Sequence, residues 1–79
     1  MNANEVLAKV TEIIQDVFDN DELVITRETV AKDVDGWDSL NHLQLMNEIE
    51  DEFDITFTMG EVQGFSNVGE LVDSIMAHI

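Results

Sequence analysis

Apolar residues recur at spacings of three and four in three stretches of the chain. In the first, over residues 5–18, Val6, Val10, Ile13 and Val17 combine with Leu7, Ile14 and Phe18 into a broad stripe. Such a stripe marks a helix that turns one face to a core. Asn4 is a residue type suited to cap it, and Glu5 in the first turn suits the positive end of the helix dipole. Asp19, Asn20 and Asp21 end the pattern. The second stretch runs from Gly36 to Asp54, with the helix itself from about Ser39 to Asp54. Leu40, Leu43, Met46, Ile49 and Phe53 are predicted to share its buried face, opposite Asn41, Gln44, Glu48, Asp51 and Glu52. Asp38 precedes the first periodic apolar residue and is a good N-cap type. Ser39 then falls in the first turn.

The third periodic stretch, from about Asn67 to Ala77, places Val68, Leu71, Val72, Ile75 and Met76 on one face. Asn67 and Glu70 have the offset of a capping box, although Asn is not the preferred cap of that motif. Before it, Thr58 and Glu61 have the same offset with a preferred cap, which predicts a short helix after Ile55-Thr56-Phe57. Gly60 and Gly64 hold that piece to one or two turns. Residues 19–37 carry no long period. A structureless connection of that length is uncommon in a compact domain. It is therefore expected to lie across the bundle, with a helical turn and with Leu23, Val24, Ile25, Val30 and Val34 tucked in. Two of the three basic residues, Arg27 and Lys32, lie here and are expected to neutralise nearby acids. Proline is absent, and no stretch alternates as a strand would. The expected fold is all-α: a small bundle of three main helices plus one short helix, with a long first loop.

Composition narrows the function classes. The chain has 79 residues, read as a single domain, 1–79. A hydrophobic content of 44% is ordinary for a globular protein. No apolar run approaches the ~18 residues that span a membrane. The N-terminus lacks the basic start and apolar core of a signal peptide, so a cytoplasmic location is expected. Eighteen acidic residues face 3 basic ones, for a net charge of −15. That balance argues against nucleic acid and anionic membranes as partners and favours basic protein surfaces. Cysteine is absent, which excludes disulfides, thiolate metal sites and a cysteine nucleophile.

Ser39 is the residue with candidate chemistry. The first turn of a helix gathers free N–H groups and the positive end of the dipole, so a phosphate there is electrostatically favoured. A serine so placed is otherwise simply part of a cap. Nucleophilic catalysis would need a positioned base and an oxyanion hole. His42 is three residues on, but there is no Gly-x-Ser-x-Gly and no evident carboxylate to orient the histidine. A calcium loop also fails. Aligning Gly36 with the loop glycine puts Ala31 and His42 where acids belong, so no metal site is expected. Glu48, Glu50, Asp51, Glu52 and Asp54 crowd one end of the second helix. Such a run is either a solvated face or a docking surface for a basic partner. Trp37 is expected to pack beside the start of that helix.

Gly36-Trp37-Asp38-Ser39-Leu40, followed by Ile49-Glu50-Asp51-Glu52-Phe53, resembles the acyl carrier proteins. The Asp-Ser-Leu triplet of Asp38, Ser39 and Leu40 is similar to that family's attachment motif. The downstream acidic run lies at the family's usual distance, and size, charge and helix order agree along essentially the whole chain. The resemblance implies a carrier rather than an enzyme. In this family a phosphopantetheinyl transferase moves 4′-phosphopantetheine from coenzyme A onto the serine, here Ser39, and the arm's thiol carries acyl groups as thioesters. It implies further partners with basic surfaces, acyl-transferring or ketosynthase-type enzymes, that dock on acids of this helix, where Glu50 and Asp51 match family positions; with Glu48 and Glu52 of the same run they are the expected docking residues, on a chain expected to be a monomer. It also implies that an acyl chain can lodge between the second helix and the short third one, with Met46, Ile49, Phe57, Val62 and Phe65 as lining. Fatty-acid carriers usually have acids two and five residues after the serine. Asn41 and Gln44 stand there, which weighs against a housekeeping role and leaves fatty-acid, polyketide and related specialised lipid or aminoacyl pathways open. The reading from another class is a small acidic module that binds a basic protein without modification.

Overall fold

A computed structural model describes residues 1–63 and 65–79. The first helix, α1, runs Ala3–Val17. It starts two residues earlier than the apolar pattern suggests, and its cap is Asn2 rather than Asn4. Asn2 Oδ1 accepts from the Glu5 amide at 2.9 Å, and Glu5 Oε1 accepts from the Asn2 amide at 3.3 Å. A reciprocal box needs an acid three residues after the cap, and only Asn2 has one; the residue three after Asn4 is Leu7. Val6, Val10, Ile13 and Ile14 are buried along one face, with Leu7, Val17 and Phe18 half-buried beside them. α1 packs on both α2 and α4 and is the spine of the bundle.

The connection from Phe18 to Asp38 does cross the bundle. Ile25 and Val34 are buried, and Leu23 and Val30 are half-buried. Val24 is not tucked in but 83% exposed. It lies between two inward-facing residues in extended chain, where neighbours point to opposite sides. The expected helical turn is a 3-10 turn at Ala31–Asp33. Two backbone bonds stitch the connection to α4: the Val68 amide donates to Thr29 O at 2.9 Å, and the Gly69 amide to Arg27 O at 2.8 Å. Gly69 has to be glycine for this approach, because a Cβ there would stand 2.9 Å from Arg27 O. Arg27 also holds both carboxylate oxygens of Asp73, at 2.9 and 3.0 Å. Lys32 makes no ion pair among the described residues.

Helix α2 spans Ser39–Phe53 and helix α3 spans Met59–Gln63. The α3 cap is the expected one: Thr58 and Glu61 exchange bonds at 3.0 and 3.1 Å. Gly64, expected to end this piece, lies outside the described residues. Helix α4 spans Val68–His78 and is capped by Asn67, whose Oδ1 accepts from the Glu70 amide at 2.9 Å. The Glu70 carboxylate reaches back to the Ser66 amide instead of the cap. No strand occurs among the described residues, and the fold is the all-helical bundle that the periodicity predicts.

The buried face of α2 differs from expectation. Leu45, Met46 and Ile49 are buried, while Leu40 is 75% and Leu43 54% exposed. The inward line runs His42, Leu45, Met46, Ile49, Phe53. Its first member is polar, so an apolar count shifts the stripe to Leu40 and Leu43 and misses Leu45.

Candidate functional site: the amino end of α2

The site is built around one turn of backbone. Asp38 caps α2 with its Oδ1 on the Asn41 amide at 2.8 Å. Gly36 just before it has φ +86°, a left-handed geometry that favours glycine. Its carbonyl accepts from the Asn41 side-chain amide. Asn41 thus ties the turn to the helix as a donor, a task that an aspartate could not perform.

Ser39 is the first helical residue and is exposed. Its amide and that of Leu40 have no helical carbonyl to bond. Beside the hydroxyl opens a cavity of about 480 Å³, bounded by Trp37 and Ala31, the first turns of α2, and Met59, Val62 and Gln63 of α3. Leu43 and Met59, at 54% and 75% exposure, border it, and Leu40 beside Ser39 is 75% exposed. Periodicity placed the two leucines in the core and left Met59 without a role. The signal that could have found them is their closeness to Ser39 combined with a polar inward His42.

His42 is half-buried and committed at both ring nitrogens. The Trp37 indole N–H donates to Nδ1 at 3.1 Å, and Nε2 lies 2.7 Å from Val62 O. An indole can only donate and a carbonyl can only accept, so the two bonds fit the tautomer with its proton on Nε2. Trp37 lies against Phe18, centroids 5.4 Å apart, as well as against the His42 ring. A histidine held in this way has no free nitrogen to serve Ser39 as a base, which removes the hydrolase reading.

The acidic residues divide into two groups. Glu48, Asp51 and Glu52 are exposed and border a groove shared with Glu12 and Asp16 of α1. Glu50 is half-buried, and its Oε2 accepts from the Phe57 amide at 2.7 Å, bracing the segment after α2. No cluster able to hold a metal ion occurs among the described residues. Glu61 clasps α3 to α4 by accepting from the Ser74 hydroxyl at 2.6 Å and from His78 at 2.8 Å. The Ser74 hydroxyl first, then the Thr58 amide and His78, hold its carboxyl down to about 2.

The open space is not where the lining was expected. Of Met46, Ile49, Phe57, Val62 and Phe65, only Val62 borders the cavity at Ser39. Met46, Ile49 and Phe57 are buried in the closed core, because the inward line of α2 passes through them. Phe65 borders a smaller space of about 50 Å³ behind Trp37 and His42.

An exposed hydroxyl, uncommitted first-turn amides and an adjoining apolar-walled cavity suit a phosphate-linked arm. Comparison with known proteins agrees. A family model described as "Phosphopantetheine attachment site" matches residues 8–75. The chain is 38% identical over 73 residues to an acyl carrier protein of Clostridium acetobutylicum, covering 92% of this chain and 95% of that one. It superposes with a TM-score of 0.86 on the solution structure of a holo acyl carrier protein from Geobacter metallireducens, at 44% identity over 92% of this chain and 84% of the other. A Mycobacterium tuberculosis structure assigned as an acyl carrier protein gives a TM-score of 0.83 at 32% identity, over 91% and 96% of the two chains. With the sequence matched almost end to end and the same helical frame, this chain belongs to the acyl carrier proteins, carriers of 4′-phosphopantetheine that are loaded by enzymes rather than being enzymes themselves.

Proposed function

We propose that Ser39 is the residue that carries 4′-phosphopantetheine. Its exposed place in the first turn of α2, within Asp38-Ser39-Leu40 and at the mouth of the cavity, supports this reading above any other observation. Ser66 and Ser74 lack the triplet, and the Ser74 hydroxyl is given to Glu61. The Ser39 oxygen would bond the phosphorus of the phosphopantetheinyl group, the diphosphate bond of coenzyme A would break with 3′,5′-ADP leaving, and the hydroxyl proton would pass to the base of the phosphopantetheinyl transferase. When bound, the group supplies the thiol that this cysteine-free chain lacks, on which acyl groups are held as thioesters. Asp38 keeps the turn in register, and the dipole and free amides of α2 favour the phosphate. Intact-mass measurement after incubation with coenzyme A and a broad-range transferase should give one arm per chain. Ser39→Ala should give none, with unchanged helical circular dichroism, and loading of that variant would overturn the assignment.

Exposed Glu48, Asp51 and Glu52 form the surface for basic partners, the transferase and acyl-transferring or ketosynthase-type enzymes. Glu50 contributes less, since its carboxylate braces Phe57. Steering of this kind acts on association and is screened by salt. Changing the three exposed acids together to Lys should slow loading at low salt, with the difference shrinking as salt rises. Equal rates at low salt would reduce this face to a solvated surface.

The pathway is read as fatty-acid, polyketide or a related specialised lipid or aminoacyl one, and Asn41 and Gln44, neutral where fatty-acid carriers usually have acids, weigh against a housekeeping role. Asn41 also has a structural task here, since its amide donates to Gly36 O. Gln44→Glu should improve recognition by fatty-acid enzymes more than Asn41→Asp, which also breaks the turn. The carrier role further calls for a monomer in the cytoplasm that meets coenzyme A and its partner enzymes in turn. Sedimentation and cell fractionation check both.

A further inference from the structure

Ser39 is exposed, so its hydroxyl is placed by the backbone on either side of it rather than by a packed shell. On the helical side that backbone is the first turn of α2. On the other side it is Gly36-Trp37-Asp38, a bend that passes through the positive φ of Gly36. Two of the bonds that tie this bend to the helix come from Asn41. Its main-chain amide donates to Asp38 Oδ1 at 2.8 Å, and its side-chain amide donates to Gly36 O at 2.6 Å. We propose that Asn41 is a positioning residue for loading: by holding the Gly36 carbonyl, its side chain fixes where the Ser39 hydroxyl stands during transfer of the arm. The proposal rests on Ser39 as the attachment point.

The other restraints on the bend leave it free to shift as a unit. The cap bond holds Asp38 through a side chain. The Asp38 amide donates to Gly36 O at 3.0 Å, which closes the bend on itself without attaching it to the helix. Trp37 reaches His42 only through its indole, at 3.1 Å. Glycine has the widest backbone freedom of any residue, so a bend that turns at Gly36 needs an anchor at that residue. The Asn41 amide is that anchor. The task calls for a donor: an aspartate at this position can only accept, and would face the Gly36 carbonyl and share the turn with the Asp38 carboxylate. Transfer onto an oxygen requires that oxygen in line with the phosphorus, and a small misplacement is costly in rate. Loss of the anchor is therefore felt in the transfer step. Docking depends instead on the exposed acids farther along α2, for which Glu48, Asp51 and Glu52 are the proposed surface.

The test measures initial loading rates with coenzyme A and a broad-range phosphopantetheinyl transferase, over a range of carrier concentrations, for wild type, Asn41→Ala and Asn41→Asp. In Asn41→Ala, kcat should fall roughly tenfold while KM stays within about twofold, because position is lost and the docking acids are intact. Asn41→Asp separates positioning from charge by sign. An added acid would speed encounter with a basic enzyme, whereas loss of the donor slows transfer. Its kcat should fall at least as far as that of Asn41→Ala and stay low as salt rises. In unmodified wild type, the side-chain amide protons of Asn41 should exchange with solvent more slowly than those of exposed Asn47 on the same helix. That measurement decides the matter if the variants do not fold. An unchanged kcat in Asn41→Ala, a rise in KM alone, faster loading of Asn41→Asp, or equal exchange at Asn41 and Asn47 would overturn this inference and leave Ser39 as the attachment point. Absence of loading in wild type, or loading of Ser39→Ala, would overturn the attachment assignment and this inference with it.

Discussion

Helices α3 and α4 are neighbours in the chain and are held by different forces. α4 buries Val68, Leu71, Val72 and Ile75 against α1 and the loop, and none of these is more than 2% exposed. α3 buries no residue at all. What fixes it is polar: the His42 ring on the Val62 carbonyl from one side, and the Glu61 carboxylate on Ser74 and His78 from the other. Apolar burial is non-directional and summed over many contacts, whereas a few hydrogen bonds are directional and each can be exchanged for water. The bundle of α1, α2 and α4 therefore sets the fold. α3 supplies one wall of the space beside Ser39, through Met59, Val62 and Gln63.

The largest expected effect separates the two helices by truncation. Ile75→Ala should cost about 2–5 kcal/mol in denaturant unfolding, because it opens a hole in a fully closed core. Val62→Ala on half-buried α3 should cost about 1 kcal/mol or less. Equal losses would break the comparison.

Adding a methyl group should give opposite signs. At Gly69 a Cβ would stand 2.9 Å from Arg27 O, so Gly69→Ala must push the loop off α4 and should lose about 1–3 kcal/mol. At Gly60 the added Cβ finds only the Thr58 hydroxyl at 4.0 Å, and a glycine inside a helix is replaced by a better helix former. Gly60→Ala should gain about 0.5–1 kcal/mol. Thermal melts of the two variants check the sign at each site.

The polar clasp of α3 should show in acid. The Glu61 carboxyl is held near 2 in the folded protein, against an ordinary value of 4.5. A depressed carboxylate stabilises the fold above its unfolded value, and that contribution is lost as pH falls through the folded one. Wild type should be more stable than Glu61→Gln near neutrality, and the gap should narrow from about pH 4.5 to pH 2. A gap that does not change with pH would mean that the carboxylate charge does not hold α3 to α4.

The smallest effect belongs to the whole surface. With a net charge of −15, and with Glu12 and Asp16 facing Glu48, Asp51 and Glu52 across the α1–α2 groove, self-repulsion opposes the bundle. Raising salt from about 0.01 to 0.1 M shortens the screening length from about 30 to 10 Å and should raise the melting temperature. A flat response would show the acids to be too dispersed to matter.

Much of this molecule is legible in one dimension. Where a helix turns a continuous stripe to the core, as α1 and α4 do, the period of three and four names the buried residues directly. The triplet at Ser39 and the box at Thr58 and Glu61 are local, because a cap joins residues three apart whatever the rest of the chain does. The remainder depended on partners far away in sequence. The inward position of the first turn of α2 is a histidine, and its place became visible only once the Val62 carbonyl, 20 residues on, was there to accept from it. With His42 on the same side as buried Leu45, Met46 and Ile49, Leu40 and Leu43 face outward, and the open space lies beside Ser39 instead of among Met46, Ile49 and Phe57. Gly69 reads as an unremarkable helix glycine until the Arg27 carbonyl lies against it. Helix-forming pattern and cap chemistry are short-range and survive in the order of the residues. Which polar groups meet across a gap, and what space they leave between them, is decided when the helices come together.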